Sequence, residues 1–148
     1  MVIPPFNEQG WLPEGIHDCT LEQVEEQFAG FQRSDRRPQL WAKFRAFVSE
    51  AKAAGVIKTI VVDGSFVTAE PAPNDIDVIV IVSADYDFSA ILSPIHYNTL
   101  SQRRVWRLFG LDIVVVKQDS ENLEQAVTFF QQGRQKPEAK KGLIRISI

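Results

Sequence analysis

The sequence predicts an α+β (α/β) domain with a mixed β-sheet of about four to five strands and helices packed mainly on one face of it. Short β-branched runs at 56–62, 76–82 and 111–116 are separated by segments whose apolar residues repeat at helical spacing. The first two runs lie too close together for a crossover helix, so they are expected to pair antiparallel. The length of 148 residues fits a single domain over residues 1–148.

The composition is that of an ordinary folded protein and excludes several classes. Hydrophobic residues make up 45% and charged residues 24%, which does not fit a disordered or fibrous chain. A net charge of −3 gives no overall reason to expect nucleic acid or an acidic membrane as a partner, although local patches stay open. The start of the chain lacks the pattern of a leader, and no apolar run approaches the ~20 residues of a membrane span. A single cysteine excludes an internal disulfide, so a cytoplasmic location without membrane contact is expected.

The first third of the chain predicts an arm followed by two helices. Residues 1–17 are rich in proline and read as an extended N-terminal arm packed on the domain surface. Residues 18–55 hold two helices. The first begins at a capping box formed by Thr20 and Gln23, and the second runs from about Pro38 to Ala54.

The remaining residues predict a strand-rich core and a C-terminal unit. The core spans 56–116 and contains the three β-branched runs, with a helix from about Asn98 to Phe109 before the third. Residues 117–148 predict a helix from the Ser120 cap to about Gln132, then a basic loop and a final strand at 143–148. That strand is expected at an edge of the sheet, where it could support a homo-oligomer.

Two aspartates stand at the start of the second β-branched run. Residues i and i+2 of a strand point to the same face, so Asp75 and Asp77 are expected side by side. Two close carboxylates repel each other, and a divalent cation such as Mg²⁺ relieves that repulsion. Asp112 lies at the start of the third run. If the second and third strands are neighbours, Asp112 completes a group of three carboxylates.

A Gly-Ser pair follows the first β-branched run. Gly64 allows a sharp turn and the close approach of a phosphate, because it has no side chain. The hydroxyl of Ser65 and the amides after it can donate hydrogen bonds to phosphate oxygens. Hydrogen-bond donors for phosphate oxygens beside three metal-binding carboxylates indicate a site for a nucleoside triphosphate. Two metals would hold the attacking and leaving oxygens of an in-line displacement there.

In this combination the sequence resembles the nucleotidyltransferase superfamily, which has the fold of DNA polymerase β, and it is similar in size to the minimal bacterial members. The resemblance covers roughly residues 56–116. It implies that Gly64 and Ser65 hold the triphosphate and that Asp75 and Asp77 bind two Mg²⁺ ions. It further implies that Asp112 shares the catalytic metal and helps to activate the attacking hydroxyl.

The segment after the Gly-Ser pair departs from the superfamily pattern. Many minimal members have Gly-Ser-x-x-x-Gly-Glu with an arginine before the second glycine, where this chain has Thr68 and Ala69 before Glu70. The metal ligands are untouched by these changes, which concern triphosphate binding. The stretches "LPEGIH" and "DGSFVT" also resemble a group of small uncharacterised bacterial proteins.

The resemblance implies a Mg²⁺-dependent nucleotidyltransferase that moves a nucleoside monophosphate from a nucleoside triphosphate to a hydroxyl of a partner protein or an RNA. Small members often act beside a toxin, so the antitoxin of a toxin–antitoxin pair is one interpretation. The alternative is a binding module without turnover that neutralises a partner toxin by direct contact. A small-molecule transferase of the aminoglycoside type is a third interpretation, and it would usually carry a second helical domain.

Several polar residues keep two interpretations each. Asp63 fits a turn residue better than a ligand, Asp112 could instead pair with Arg107, and His17 and His96 fit packing or surface positions. Three arginines share one predicted helix and could be a solvated face or contact phosphates or an acidic partner: Arg103, Arg104 and Arg107. The basic segment 134–141 fits a solvated loop, with contact to RNA or a partner as the alternative.

Overall fold

The computed structural model describes residues 3–29, 35–70, 73, 76–89, 93–132 and 140–148. The strands are β1 (Gly15–Asp18), β2 (Ile57–Asp63), β3 (Asp77–Val82), β4 (Asp112–Lys117) and β5 (Gly142–Ser147). The helices are α1 (Leu21–Val24), α2 (Arg36–Ala54), α3 (Pro94–Leu100), α4 (Gln102–Phe109) and α5 (Glu121–Gln131). A π-helical turn, Glu25–Ala29, continues α1. The predicted mixed sheet is confirmed, with five strands in the order β1-β5-β2-β3-β4.

The helix ends follow the local sequence signals in most places. Thr20 and Gln23 form the predicted capping box, with the Gln23 amide 3.1 Å from Thr20 Oγ1 and the Thr20 amide 2.9 Å from Gln23 Oε1. The single helix predicted over residues 98–109 is wrong, because α3 and α4 are separate. Ser101 is extended (φ −85°, ψ 117°), and its side chain caps α4 by accepting from the Arg104 amide at 3.3 Å.

The strand pairing places β3 at the centre of the candidate site. β2 and β3 pair antiparallel, as expected, and β3 and β4 pair parallel. The side chains of β3 from Val78 to Val82 are all buried, because helices cover both faces of the sheet there.

The prediction that the last strand lies at a sheet edge is wrong. β5 pairs antiparallel with β2 on one side and parallel with β1 on the other. β1 lies within and just after the segment predicted as an extended arm, so the arm ends in a strand that covers β5. The two strands are also joined by Arg145, which donates to both carboxylate oxygens of Asp18 at 2.6 and 2.8 Å.

The core forms two unequal layers, one on each face of the sheet. The larger packs α2 and α4 against β2, β3 and β5, through buried residues such as Phe44, Phe47 and Val105. The smaller packs α5 against Val61 and Ile79 on the opposite face. The prediction of helices mainly on one face is therefore confirmed. None of the described helices has the length and apolar character that a membrane crossing requires.

Candidate functional site

Three aspartates lie side by side at one end of the sheet. Asp77 is the register partner of Asp63 on β2 and of Asp112 on β4. Directly opposed residues of neighbouring strands point to the same face, so the three carboxylates share the face covered by α5. The solvent exposure of the three side chains increases from β2 to β4: Asp63 is buried, Asp77 is half-buried and Asp112 is exposed. Asp75, the predicted partner of Asp77, lies outside the described residues.

The carboxylate of Asp63 is neutralised by a lysine from the C-terminal segment. Lys141 Nζ lies 3.1 Å from Asp63 Oδ2, and the two side chains are 17% and 6% exposed. Lys141 was expected in a solvated basic loop, and this expectation is wrong for Lys141, because it directly precedes β5, whose antiparallel pairing with β2 places it beside the end of β2. Residues 134–139 of the basic segment lie outside the described residues. The three aspartates therefore differ: Asp63 is buried and paired with an ammonium group, while Asp77 and Asp112 lie at the solvent-facing rim where β3 and β4 begin.

The Gly-Ser pair forms a tight turn directly after β2. Gly64 has φ 96°, a conformation that a residue with a Cβ rarely adopts. Ser65–Val67 then makes a short 3₁₀ turn. Since Asp63 pairs with Asp77, this turn begins beside the first residue of β3. The order of the chain thus places the predicted phosphate cradle next to the predicted metal ligands.

The amides that follow Ser65 are used inside the protein. The amides of Val67 and Thr68 donate to the carbonyls of Gly64 and Ser65, both at 3.2 Å. The Ala69 amide donates to the Gly10 carbonyl at 2.8 Å, and the Glu70 amide to Thr68 Oγ1 at 3.2 Å. A phosphate held by this turn would therefore be contacted by residues 64–66. The sequence predicted that the amides after Ser65 would donate to phosphate, and for the amides of residues 67–70 this prediction is wrong.

Arg37 holds the loop after the Gly-Ser pair in place, and sequence reasoning missed this residue. Its side chain is fully buried. The guanidinium donates to four backbone carbonyls, those of Phe28 at 3.1 Å, Phe66 at 2.6 Å, Thr68 at 2.7 Å and Glu70 at 2.6 Å. A planar fork with five donors can serve several carbonyls at once, which the ammonium of lysine cannot do. The stretch "RSDRRP" contains three arginines, and nothing in its local pattern distinguishes Arg37 from its neighbours.

Arg37 remains a cation at neutral pH despite its burial. Burial lowers the pKa of the guanidinium to about 10, and the negative charge of Glu70 opposes that decrease. The guanidinium carbon also lies 5.2 Å from the centre of the Phe66 ring. The loop at 66–70 is thus held in place by one buried charge.

The N-terminal arm contacts the same loop from the other side. A Cβ placed on Gly10 would lie 3.1 Å from the Cβ of Ala69. Ala69 is one of the two residues in which this loop departs from the pattern expected from the sequence, and its methyl group packs against Gly10, which has no side chain. The arm therefore accommodates the alanine, and the loop conformation depends on both.

The other candidate residues include two histidines and an arginine that could have paired with Asp112. His17 Nε2 lies 2.7 Å from the Pro13 carbonyl, which fits the packing interpretation, and His96 is half-buried on α3. Within the described ranges, no ion pair joins Asp112 to Arg107. Within the same ranges, no three His, Cys, Asp or Glu side chains are grouped closely enough to hold a metal ion, and Asp75 is not among them.

Comparisons with known proteins identify a family. No curated protein and no solved structure matches the chain. One family model matches residues 4–147, almost the whole length, and its description is a family of unknown function, DUF6932. The chain therefore belongs to DUF6932.

Proposed function

We propose that this protein is a Mg²⁺-dependent nucleotidyltransferase that moves a nucleoside monophosphate from a nucleoside triphosphate to a hydroxyl group of a partner protein or an RNA. The supporting observation is the register of β2, β3 and β4, which aligns Asp77 with Asp112 beside the turn at Gly64 and Ser65. Hydrogen-bond donors for phosphate after β2, and carboxylates at the starts of β3 and β4, are what this reaction requires. We further propose that the partner is a toxin, with this chain as its antitoxin.

The carboxylates fit the chemistry of Mg²⁺. Asp77 and Asp112 start neighbouring parallel strands, whose backbones lie about 4.8 Å apart. Their oxygens share one face, and carboxylate oxygens are preferred Mg²⁺ ligands. When bound, the ion would neutralise the charge that develops on the phosphate oxygens. Asp75 would supply a further ligand by its position in the sequence.

The chain's own residues would orient the two reactants. Ser65 and the backbone around Gly64 would hold the triphosphate, and the exposed carboxylate of Asp112 would accept the proton of the attacking hydroxyl. The hydroxyl oxygen bonds to the α-phosphorus as the bond from that phosphorus to the β-phosphate oxygen breaks, and pyrophosphate leaves. The loop at 66–70, fixed by Arg37, would keep the turn in position.

A binding module without turnover is the second candidate, and one observation favours it. The amides of residues 67–70 are already engaged, so the turn offers fewer donors than a full triphosphate cradle. Such a module would keep the fold and its partner contact while having lost nucleotidyl transfer.

The test uses the purified full chain with Mg²⁺ and ATP labelled at either the α or the γ phosphate. Total RNA and the product of the adjacent gene serve as acceptors. Transfer of the α label with release of pyrophosphate is expected, while transfer of only the γ label would contradict the proposal, because it indicates a kinase.

Matched variants separate the two candidates. Asp77→Asn and Asp112→Asn should each lower transfer at least about 100-fold, since removal of one transition-state charge interaction typically has that effect. Asp85→Asn, an exposed carboxylate away from the rim, should leave transfer unchanged. If no nucleotide is transferred and the Asp77→Asn, Asp112→Asn double variant still protects cells from the adjacent gene product, the binding module is the correct function.

A further inference from the structure

The exposed face of α4 combines arginine and tryptophan side chains. The helix reads "QRRVWRLF" and contains three arginines and no acidic residue. Only Val105 and Phe109 are buried, and they anchor α4 to the core. Trp106 is 58% exposed, although an indole of this size is usually covered. The face therefore presents a large aromatic surface to solvent beside several cations.

Helical geometry sets the arrangement of these side chains. Arg103 and Arg107 are one turn apart and lie in the middle of the exposed face, and Trp106 flanks Arg103 on one side. On the other side, the guanidinium of Arg104 lies 5.8 Å from the centre of the Tyr97 ring and donates to Asn98 Oδ1 at 3.1 Å. Arg103 and Arg107 thus occupy the centre, and Arg104 and the aromatic rings occupy the margins.

The charges on this face are not balanced by the protein. Across the described part of the chain, no carboxylate lies within 4 Å of the guanidinium groups of Arg103, Arg104 or Arg107. Other basic side chains do have acidic partners, as Arg145 has Asp18. The chain as a whole has a net charge of −3, but this face is locally positive and would attract an anion.

We infer that the exposed face of α4 binds single-stranded nucleic acid, with phosphates on Arg103 and Arg107 and bases stacked on Trp106 and Tyr97. Arginine forks bind phosphate oxygens, and exposed aromatic rings stack unpaired bases with little dependence on sequence. Protein partners instead select interfaces with an apolar centre and a polar rim, the reverse of the arrangement here. A duplex would supply phosphates but no unstacked base for the indole.

The location of the face connects it to the candidate site. α4 ends at Phe109, and Asp112 begins β4 three residues later. The C-terminal end of the helix is therefore at the same end of the sheet as Asp77 and Asp112. This part of the inference rests on the proposed function: a single-stranded RNA bound on α4 would be the acceptor, and its terminal hydroxyl would reach the carboxylates of Asp77 and Asp112.

The direct test is fluorescence anisotropy of a labelled 12-residue oligouridylate titrated with the full chain at several salt concentrations. Arg103→Glu combined with Arg107→Glu should weaken binding at least about tenfold and reduce the salt slope by about 1.4, since each phosphate contact to a single strand contributes about 0.7. Lys52→Glu combined with Lys58→Glu makes the same charge change at exposed positions elsewhere and should bind like the unmodified chain. Equal losses in both variants, or no binding by the unmodified chain at low salt, would overturn the inference.

Stacking has its own readout. Trp41 is buried and Trp11 half-buried, so oligouridylate should quench mainly Trp106, and the quenching should disappear in Trp106→Phe. Trp106→Ala should weaken binding at least about fivefold. If a polyglutamate peptide or an RNA duplex of the same length binds as tightly as the single strand, the face is a general anion surface and the inference is wrong.

The two proposals fail separately. Asp77→Asn should abolish nucleotidyl transfer and leave oligouridylate binding intact, because the carboxylate is not part of the α4 face. If the unmodified chain transfers nucleotide to a protein acceptor but does not bind oligouridylate, the nucleotidyltransferase proposal stands and the α4 inference is refuted.

Discussion

Replacement of Arg37 by alanine is the perturbation whose effect the structure defines best. The change removes hydrogen bonds to four carbonyls. The hydrogen bonds to the carbonyls of Phe28 and Phe66 are buried. A buried carbonyl left without its donor costs about 1–3 kcal/mol, and loss of the cation over the Phe66 ring costs about 0.5–2 kcal/mol. The relief of a buried charge offsets part of this sum, so the expected loss is about 3 kcal/mol of the free energy of unfolding.

The measurement is urea unfolding followed by circular dichroism, together with a thermal melt. A loss of ~3 kcal/mol corresponds to a decrease in Tm of roughly 10 °C for a domain of this size. Arg37→Lys keeps the charge but not the fork, so its loss should be smaller but still clear. Arg45→Ala, on the same helix, removes only an exposed pair with Glu25 at 3.6 Å and should change stability by less than about 0.5 kcal/mol.

The hydrogen-exchange rates of the loop give a second check. Amides at 67–70 should lose protection in Arg37→Ala before the rest of the chain, because the guanidinium holds the loop that contains them. If Arg37→Ala is no less stable than Arg45→Ala, the four hydrogen bonds do not hold the loop and the reasoning is refuted.

Three further predictions concern other contacts. Lys141→Met should destabilise the fold by about 3 kcal/mol, because it leaves the buried carboxylate of Asp63 without its ammonium partner. The double variant with Asp63→Asn should recover part of that loss in urea unfolding, and an additive loss would contradict the pairing. Gly10→Ala should cost about 1–3 kcal/mol through its φ of 79° and its approach to the Ala69 methyl, and Ala69→Gly in the same chain should relieve the steric part in a double-mutant cycle. Burial raises the pKa of the Cys19 thiol, so at pH 8 the folded chain holds less thiolate than the chain unfolded in urea. Alkylation should accordingly be slower in the folded chain and rise with pH at a higher midpoint, and equal rates in the two states would disprove this.

Local sequence patterns predicted most of the secondary structure and the positions of Asp77 and Asp112 relative to the strands. The β-branched runs became β2, β3 and β4 within one residue at each end, because a strand covered on both faces selects apolar side chains all along its length. The spacing of the aspartates from these runs placed Asp77 and Asp112 at strand starts. The parallel register between them was not predicted, and it arises because α3 and α4 return the chain to the same end of the sheet.

Other elements could not be predicted because their local signals were weak or equivocal. Gly15–Asp18 contains four residues with no clear alternation, and it is a strand only because β5 offers an edge to pair with. The helix over 98–109 was predicted as continuous because its apolar spacing continues through Ser101, where the side chain caps a new helix instead.

The sequence by itself determined the strand-rich core and the order of its strands, since each depends on residues a few positions apart. The sequence made the meeting of the Gly-Ser turn, Asp77 and Asp112 conditional on the second and third strands being neighbours, and the tertiary structure decided that they are. Only the tertiary structure decided what surrounds them. Arg37 reaches carbonyls up to 33 residues away, and Lys141 reaches Asp63 across 78 residues. Such pairs leave no periodicity in the chain. A long polar side chain is assigned to a buried role only when the fold brings its partners within hydrogen-bonding distance and excludes the water that would otherwise solvate it.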